Sequence, residues 1–192
     1  YAARGVAYMN LEQYDRAVAD MQTAAEADVS ILTLSVAVQG RIAGLRGEDG
    51  KAKDLFREAI GHDRSFGVPY LYRGVYFLRR EEYPFALSSL KAAARLMPDN
   101  AEAHAVLADL LVNCPDKKIR DPLSALSLSS QACDNSQWQY WQDLALLADN
   151  HAALGGWDEA VTWGARALDI APPEHQSALR NRLADYRSKA DR

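Results

Sequence analysis

The stretch "VPYLYRGVYFLRREEYPFALSSLKAAARLMP", residues 68–98, decides the fold. Its apolar and small positions fall three and four residues apart: Tyr70, Leu71, Gly74, Phe77 and Leu78, then Ala86, Leu90 and Ala93. That spacing places one buried face on an α-helix, and it occurs twice. Between the two runs lies the charged turn "RREEYP", residues 79–84. Pro84 suits the first turn of a second helix, where its missing N–H has no partner to lose. Pro98 closes the stretch, because proline disfavours helix in the residue before it. The stretch reads as a helical hairpin.

The hairpin recurs. Small residues return as Gly5, Gly40, Gly74, Ala108 and Ala148, at steps of 35, 34, 34 and 40. A second series, Ala17, Ala52, Ala86, Ala125 and Ala160, marks the second helices, and a third follows as Ala24, Ala59, Ala93, Ala132 and Ala167. Two helices approach closely only where no large side chain separates them, so a small residue on one faces a small residue on the other. Overfilling such a contact costs about 1–3 kcal/mol. Tyr1, Tyr8, Tyr70, Phe77, Phe56 and Tyr83 are expected to fill the core beside these contacts. In the fourth and fifth units alanine replaces the glycine, and Ser129 and Gly164 stand where a large apolar residue is expected. These two units are expected to pack more loosely, or to borrow Leu128 and Trp163.

The pattern resembles the tetratricopeptide repeat, with its 34-residue period and its glycine, alanine and proline positions. The residues carrying the resemblance are "YAARGVAY" in unit one, Gly40, "AKDLF" and Ala59 in unit two, "YLYRGVYF" in unit three, and "GGWDEAVTWGARALDIAP" in unit five. The resemblance covers the whole chain. It implies an all-α, right-handed superhelical array, with units at about 1–29, 30–64, 65–98, 99–136 and 137–172. A capping helix follows over about 173–188, with Leu179, Leu183 and Tyr186 on one face and Arg180, Arg182 and Arg187 towards solvent. The long turn, the final unit and the "LRNRLADY" helix also resemble the C-terminal repeat arrays of large planctomycete-type bacterial proteins. The chain opens at Tyr1, inside a helical pattern, as a piece of a longer protein would.

Totals narrow the class. The chain has 192 residues, 22 basic and 26 acidic, with net charge −4. No basic excess points to nucleic acid, and no apolar run is long enough to span a bilayer. Cys114 and Cys133 form no C-x-x-C pair; the expectation is two buried free thiols, with a disulfide as the alternative. His62, His104, His151 and His175 make no helical metal pair, and His104 and His151 read as hydrogen-bonded core residues. No nucleophile elbow, phosphate loop or dinucleotide fingerprint is present. The sequence therefore implies no enzyme, no cofactor and no metal.

One unit breaks the period. Between Ala108 and Ala125 the spacing is five residues longer than in its siblings. The first helix is expected to end near Asn113 and the second to start at Asp121 or Pro122, leaving "CPDKKIR", residues 114–120, as an enlarged turn. It reads as a rigid connector anchored by the two cysteines, or as a basic knob of Lys117, Lys118 and Arg120 offered to a partner.

The repeat geometry implies a concave face built from first helices, with Val6, Asn10, Arg41, Leu45, Leu71, Val75, Arg79, Asp109, Asn113 and Asp149 facing in. Such a face takes a protein or peptide partner, and Arg41 and Arg79 suit a carboxylate. The clamp that some repeats of this kind use for acidic chaperone tails has no match, because its places hold Ala2, Val6, Ala37 and Arg41. The resemblance implies a non-catalytic protein-interaction scaffold. An alternative is a spacer or regulatory arm of a larger multidomain enzyme, self-associating through a terminal helix face.

Overall fold

Apolar stripes at helical spacing, broken by short charged turns, call for stacked helices, and the computed structural model adopts them over residues 1–192. Eleven α-helices form and no strand. They are α1 (Ala2–Asn10), α2 (Tyr14–Ala27), α3 (Leu32–Leu45), α4 (Asp49–His62), α5 (Gly67–Arg79) and α6 (Tyr83–Leu96). Then come α7 (Ala101–Asn113), α8 (Pro122–Asn135), α9 (Trp141–Ala153), α10 (Trp157–Ile170) and α11 (Pro173–Ala190). A short 3-10 turn, Val29–Ile31, leads into α3. The helices group into two compact units, Tyr1–Met97 and Pro98–Arg192. Unit 1 holds three hairpins, α1–α2, α3–α4 and α5–α6; unit 2 holds α7–α8, α9–α10 and the final α11.

Each hairpin is closed by the same backbone hydrogen bond. The N–H of the residue capping the second helix donates to a carbonyl in the last turn of the first. The pairs are Gln13 to Tyr8 (2.9 Å), Glu48 to Ala43 (2.9 Å), Glu82 to Phe77 (3.0 Å), Asp121 to Leu111 (2.9 Å) and Gly156 to His151 (2.9 Å). In four hairpins the chain reaches this bond through one left-handed residue, Glu12, Gly47, Glu81 or Gly155, all with φ between 58° and 80°. That is the usual way a helix end satisfies its last carbonyls. The fourth hairpin makes the same bond without it. Cys114 leaves α7 in an extended conformation, the inserted residues loop out, and Asp121 returns to Leu111.

The loop is held by its own polar groups. Arg120 donates through Nε to the Cys114 carbonyl at 2.6 Å, and the Lys118 N–H donates to Asp116 at 3.0 Å. Asp121 then caps α8, accepting from the Ser124 N–H at 3.1 Å. Both cysteines are free and buried. Burial pushes the Cys133 thiol up to about 12, so it behaves as a small apolar residue.

Packing inside the hairpins follows a rule of shared volume. A methyl on Gly5 would lie 2.9 Å from Met21, one on Gly40 3.0 Å from Phe56, and one on Gly74 2.6 Å from Leu90. The alanines at the same place in unit 2 face small partners by register: Ala108 with Ser129, Ala148 with Gly164. All four are buried. One side of the contact grows as the other shrinks, and Trp163, one of the two neighbours expected to be borrowed, packs against the buried residues of unit 2. At Gly164 the vacated space is taken by α11, whose Tyr186 ring would stand 3.4 Å from an added methyl.

The expectation about the aromatics needs correction. Of the six aromatics expected in the core, Phe56 is fully buried, but Tyr1 is 66% exposed and the other four are half-buried. Arginines share the space: Arg4 lies over the rings of Tyr1 and Tyr8, and Arg73 over Tyr70. Arg182, expected towards solvent, is exposed, and there it pairs with Asp149.

The volume rule is testable. Gly74→Ala adds a clash costing about 1–3 kcal/mol against a helix-propensity gain of about 1 kcal/mol. Urea unfolding should show a net loss. Leu90→Ala alone should also destabilise, and the double variant should lose less than the two single losses combined; strict additivity would contradict a shared contact.

Candidate functional site

On the first-helix face of unit 1, α3 and α5 lie side by side. Arg41 and Leu45 on α3, with Tyr72, Val75 and Arg79 on α5, line a shallow cleft that also touches Gly44, Tyr76 and Arg80. These positions recur at three- and four-residue steps, so each helix presents one stripe. Arg41 lies over the Tyr72 ring, 4.7 Å from its centre, which fixes the guanidinium without neutralising it.

The neighbouring arginines are paired internally. Arg80 donates to Asp49 and, at 3.2 Å, to the Gly44 carbonyl; Arg46 donates to Asp15 at 2.7 Å. These pairs tie the turn of one hairpin to the start of the second helix of the hairpin before it. The Arg80 guanidinium holds the Asp49 carboxyl below its ordinary range, and Arg4 does the same to Asp20. Arg41 and Arg79 pair with no carboxylate, and Arg79 is exposed.

Unit 2 carries its own cleft, on the first-helix face of α7 and α9 and flanked by α11. Its volume is about 360 Å³. Ala105, Val106, Ala145, Leu146 and Trp141 give it an apolar floor, and Asp109, Asp143 and Asp149 supply carboxylates. Asp149 is already engaged, accepting from Arg182 and from the Tyr186 hydroxyl of α11. Asp109 is exposed and accepts from Asn113 at 2.8 Å. Asp143 is 8% exposed, and burial raises its pKa, opposed only by a hydrogen bond from Ser136.

The expected contact residues thus separate. Arg41, Leu45, Val75 and Arg79 come together in one cleft, and Asp109 and Asp149 in the other. Leu71 does not join them: it is 2% exposed and packs in the core. Asp149 is a docking residue for α11 rather than an open contact. Asn10 and Asn113 are exposed at the ends of α1 and α7. In the long turn, Lys117 and Lys118 are exposed, while Arg120 is tied to its own loop. Sequence reading misses Tyr72, Val106, Leu146 and Trp141. The first three share one register place, three residues before Val75, Asp109 and Asp149, so that spacing could have found them. His104 is buried and bonds through Nδ1 to the Asn100 carbonyl at 2.9 Å, which makes it structural. No group of three or more His, Cys, Asp or Glu is placed to hold a metal ion, and no helix is long and apolar enough to cross a membrane.

Solved structures share this arrangement. The chain superposes over its full length on yeast Tom70, with a TM-score of 0.80 and 18% identity, and spans 40% of that chain. It matches TTC0263, a thermophilic tetratricopeptide repeat protein of Thermus thermophilus, at a TM-score of 0.67 and 20% identity, covering 96% of both chains. It also matches YrrB, described as a tetratricopeptide repeat protein with an unusual peptide-binding site, at 0.64 and 20%, covering 95% of this chain and 91% of YrrB. No protein-family model matches the chain, and no curated protein does. The likeness is one of fold: tandem helical hairpins of the tetratricopeptide type.

The buried carboxylate gives a pH test. A folded pKa raised above the unfolded value means that the charged form opposes folding at neutral pH. That cost is relieved as pH falls through the folded pKa towards the unfolded value. Asp143→Asn, which can still accept from Ser136, should raise the thermal midpoint at pH 7. The gain should shrink towards zero near pH 4, followed by circular dichroism across that range.

Proposed function

We propose that the chain is a protein-interaction module that holds an acidic segment of a partner on the first-helix face of unit 1. One observation carries the reading. Two arginines, Arg41 and Arg79, flank an apolar cleft with no carboxylate on either, while Arg46 and Arg80 beside them are paired with Asp15 and Asp49. A guanidinium held against an aromatic ring has little freedom still to lose, so it grips a carboxylate at small entropic cost. Leu45 and Val75 offer apolar contact beside the charges, and an extended peptide presents side chains that can use both. A helical-hairpin array with a described peptide-binding site, YrrB, supports the reading by analogy of fold. Asn10 would serve as a further hydrogen-bonding contact in unit 1, and Asn113, Lys117 and Lys118 as separate contacts within unit 2.

The test is selection from a random peptide display library, with the whole chain as bait. The wild type should select peptides bearing Asp, Glu or a free C-terminal carboxylate next to apolar residues. Arg41→Glu with Arg79→Glu, confirmed helical by circular dichroism, should weaken those peptides about ten- to a hundredfold, the loss expected of charge-assisted bonds. Equal binding by the double variant would move the site to Lys117 and Lys118. Selection of no acidic peptide would favour the alternative, an arm acting within a larger protein.

A further inference from the structure

The unit 2 cleft has the opposite electrostatic character, and its charges are also unequal in their commitments. Asp149 is neutralised by Arg182. Asp109 has only the neutral amide of Asn113. Asp143 is nine-tenths buried, with a neutral hydrogen bond from Ser136 and no cation of this chain beside it. A carboxylate taken out of water without a cation is costly, and an incoming cation relieves that cost. The same cleft is lined by the apolar side chains of Val106, Ala145 and Leu146.

We infer that this cleft binds a lysine or arginine side chain presented by a peptide segment of a partner. The chemistry matches such a side chain along its length. The methylene stem packs on Val106, Ala145 and Leu146, as long basic side chains do on apolar surface. The charged head meets Asp109 and Asp143, forming charge-assisted hydrogen bonds that neither makes to a cation within the chain. A purely apolar ligand would cover Asp109 and gain nothing for Asp143. An acidic one would be repelled. Charge complementarity therefore selects a basic occupant. The inference rests on the reading of the chain as a peptide-binding module, and it adds a second cleft with its own specificity.

The test uses the same display library, with the whole chain carrying Arg41→Gln and Arg79→Gln as bait, so that charge selection by the unit 1 cleft is removed. Peptides with Lys or Arg next to Leu, Val or Ala should be enriched. A synthetic copy of the strongest, acetylated and amidated, is then titrated by fluorescence anisotropy against the wild type, Asp109→Lys and the milder Asp109→Asn. Asp109→Lys should bind about ten- to a hundredfold more weakly and Asp109→Asn by a smaller factor. Binding to the wild type should weaken as salt rises. Asp109 is exposed on α7, and unchanged thermal midpoints would show that both variants fold. Enrichment without basic residues, or basic peptides that bind Asp109→Lys as well as the wild type, would overturn the inference. If acidic peptides are won through Arg41 and Arg79 but no basic ones appear, this inference falls and the unit 1 reading stands. If neither kind is selected, both fall.

Discussion

The close approach of two helices within each hairpin is the constraint on which the rest depends. It fixes a volume that two side chains must share. Gly74 leaves the space to Leu90, and at Gly164 the space is taken up by Tyr186 of α11. The hydrogen bond from the second helix's cap to the last turn of the first sets how far the chain runs before it turns back. Shared volume and closing bond together fix the register of every other residue in a hairpin. The inserted residues of the fourth hairpin can therefore leave and return without moving either helix: Asp121 still finds Leu111, and Ala108 still faces Ser129.

This constraint explains what is legible. Steric exclusion acts at fixed positions in every unit, so glycine and alanine recur in step and the hairpins can be read from spacing alone. The N-cap of α8 is legible as well, because Asp121 before Pro122 has a local meaning that needs no tertiary contact. Gly164 is not, because the residue that fills its space, Tyr186, lies on another helix and outside the hairpin period. Leu71 reads from sequence as an open-face residue because a one-position error in register moves a residue about 100° around a helix, and its neighbour Tyr72 lies beneath Arg41. Asp149 reads as available because its partners, Arg182 and Tyr186, belong to the final helix, whose pairing no periodicity predicts.

The partners of each charge separate structure from recognition more sharply than exposure does. Arg46 and Arg80 sit at equivalent places at the ends of α3 and α5, and each reaches back to an aspartate of the preceding hairpin. Arg41 and Arg79 are arginines of the same unit with no such aspartate. Their difference is positional: the turn arginines reach back to the preceding hairpin, which brings an acid, whereas Arg41 lies over Tyr72 of the following hairpin and Arg79 is exposed. Arg73 shows a third outcome, half-buried against Ser89 and Tyr70, where burial lowers its pKa and a serine stands in place of the aspartate that Arg4 finds in Asp20.

The repeat also explains how two clefts of opposite character arise from one architecture. Val6, Arg41, Val75, Asp109 and Asp149 occupy one register place, and no helix–helix contact within the hairpin depends on its size or charge. Positions that carry the close approach can hold only glycine, alanine or their matched partners, whereas this one is constrained by nothing the hairpin needs. Variation accumulates there at little cost in stability. A fold that confines the steric demands of its hairpins to a few periodic sites leaves a stripe of side chains, one per hairpin, whose chemistry is set from outside the hairpin, as at Asp149, which holds Arg182 and Tyr186 of α11.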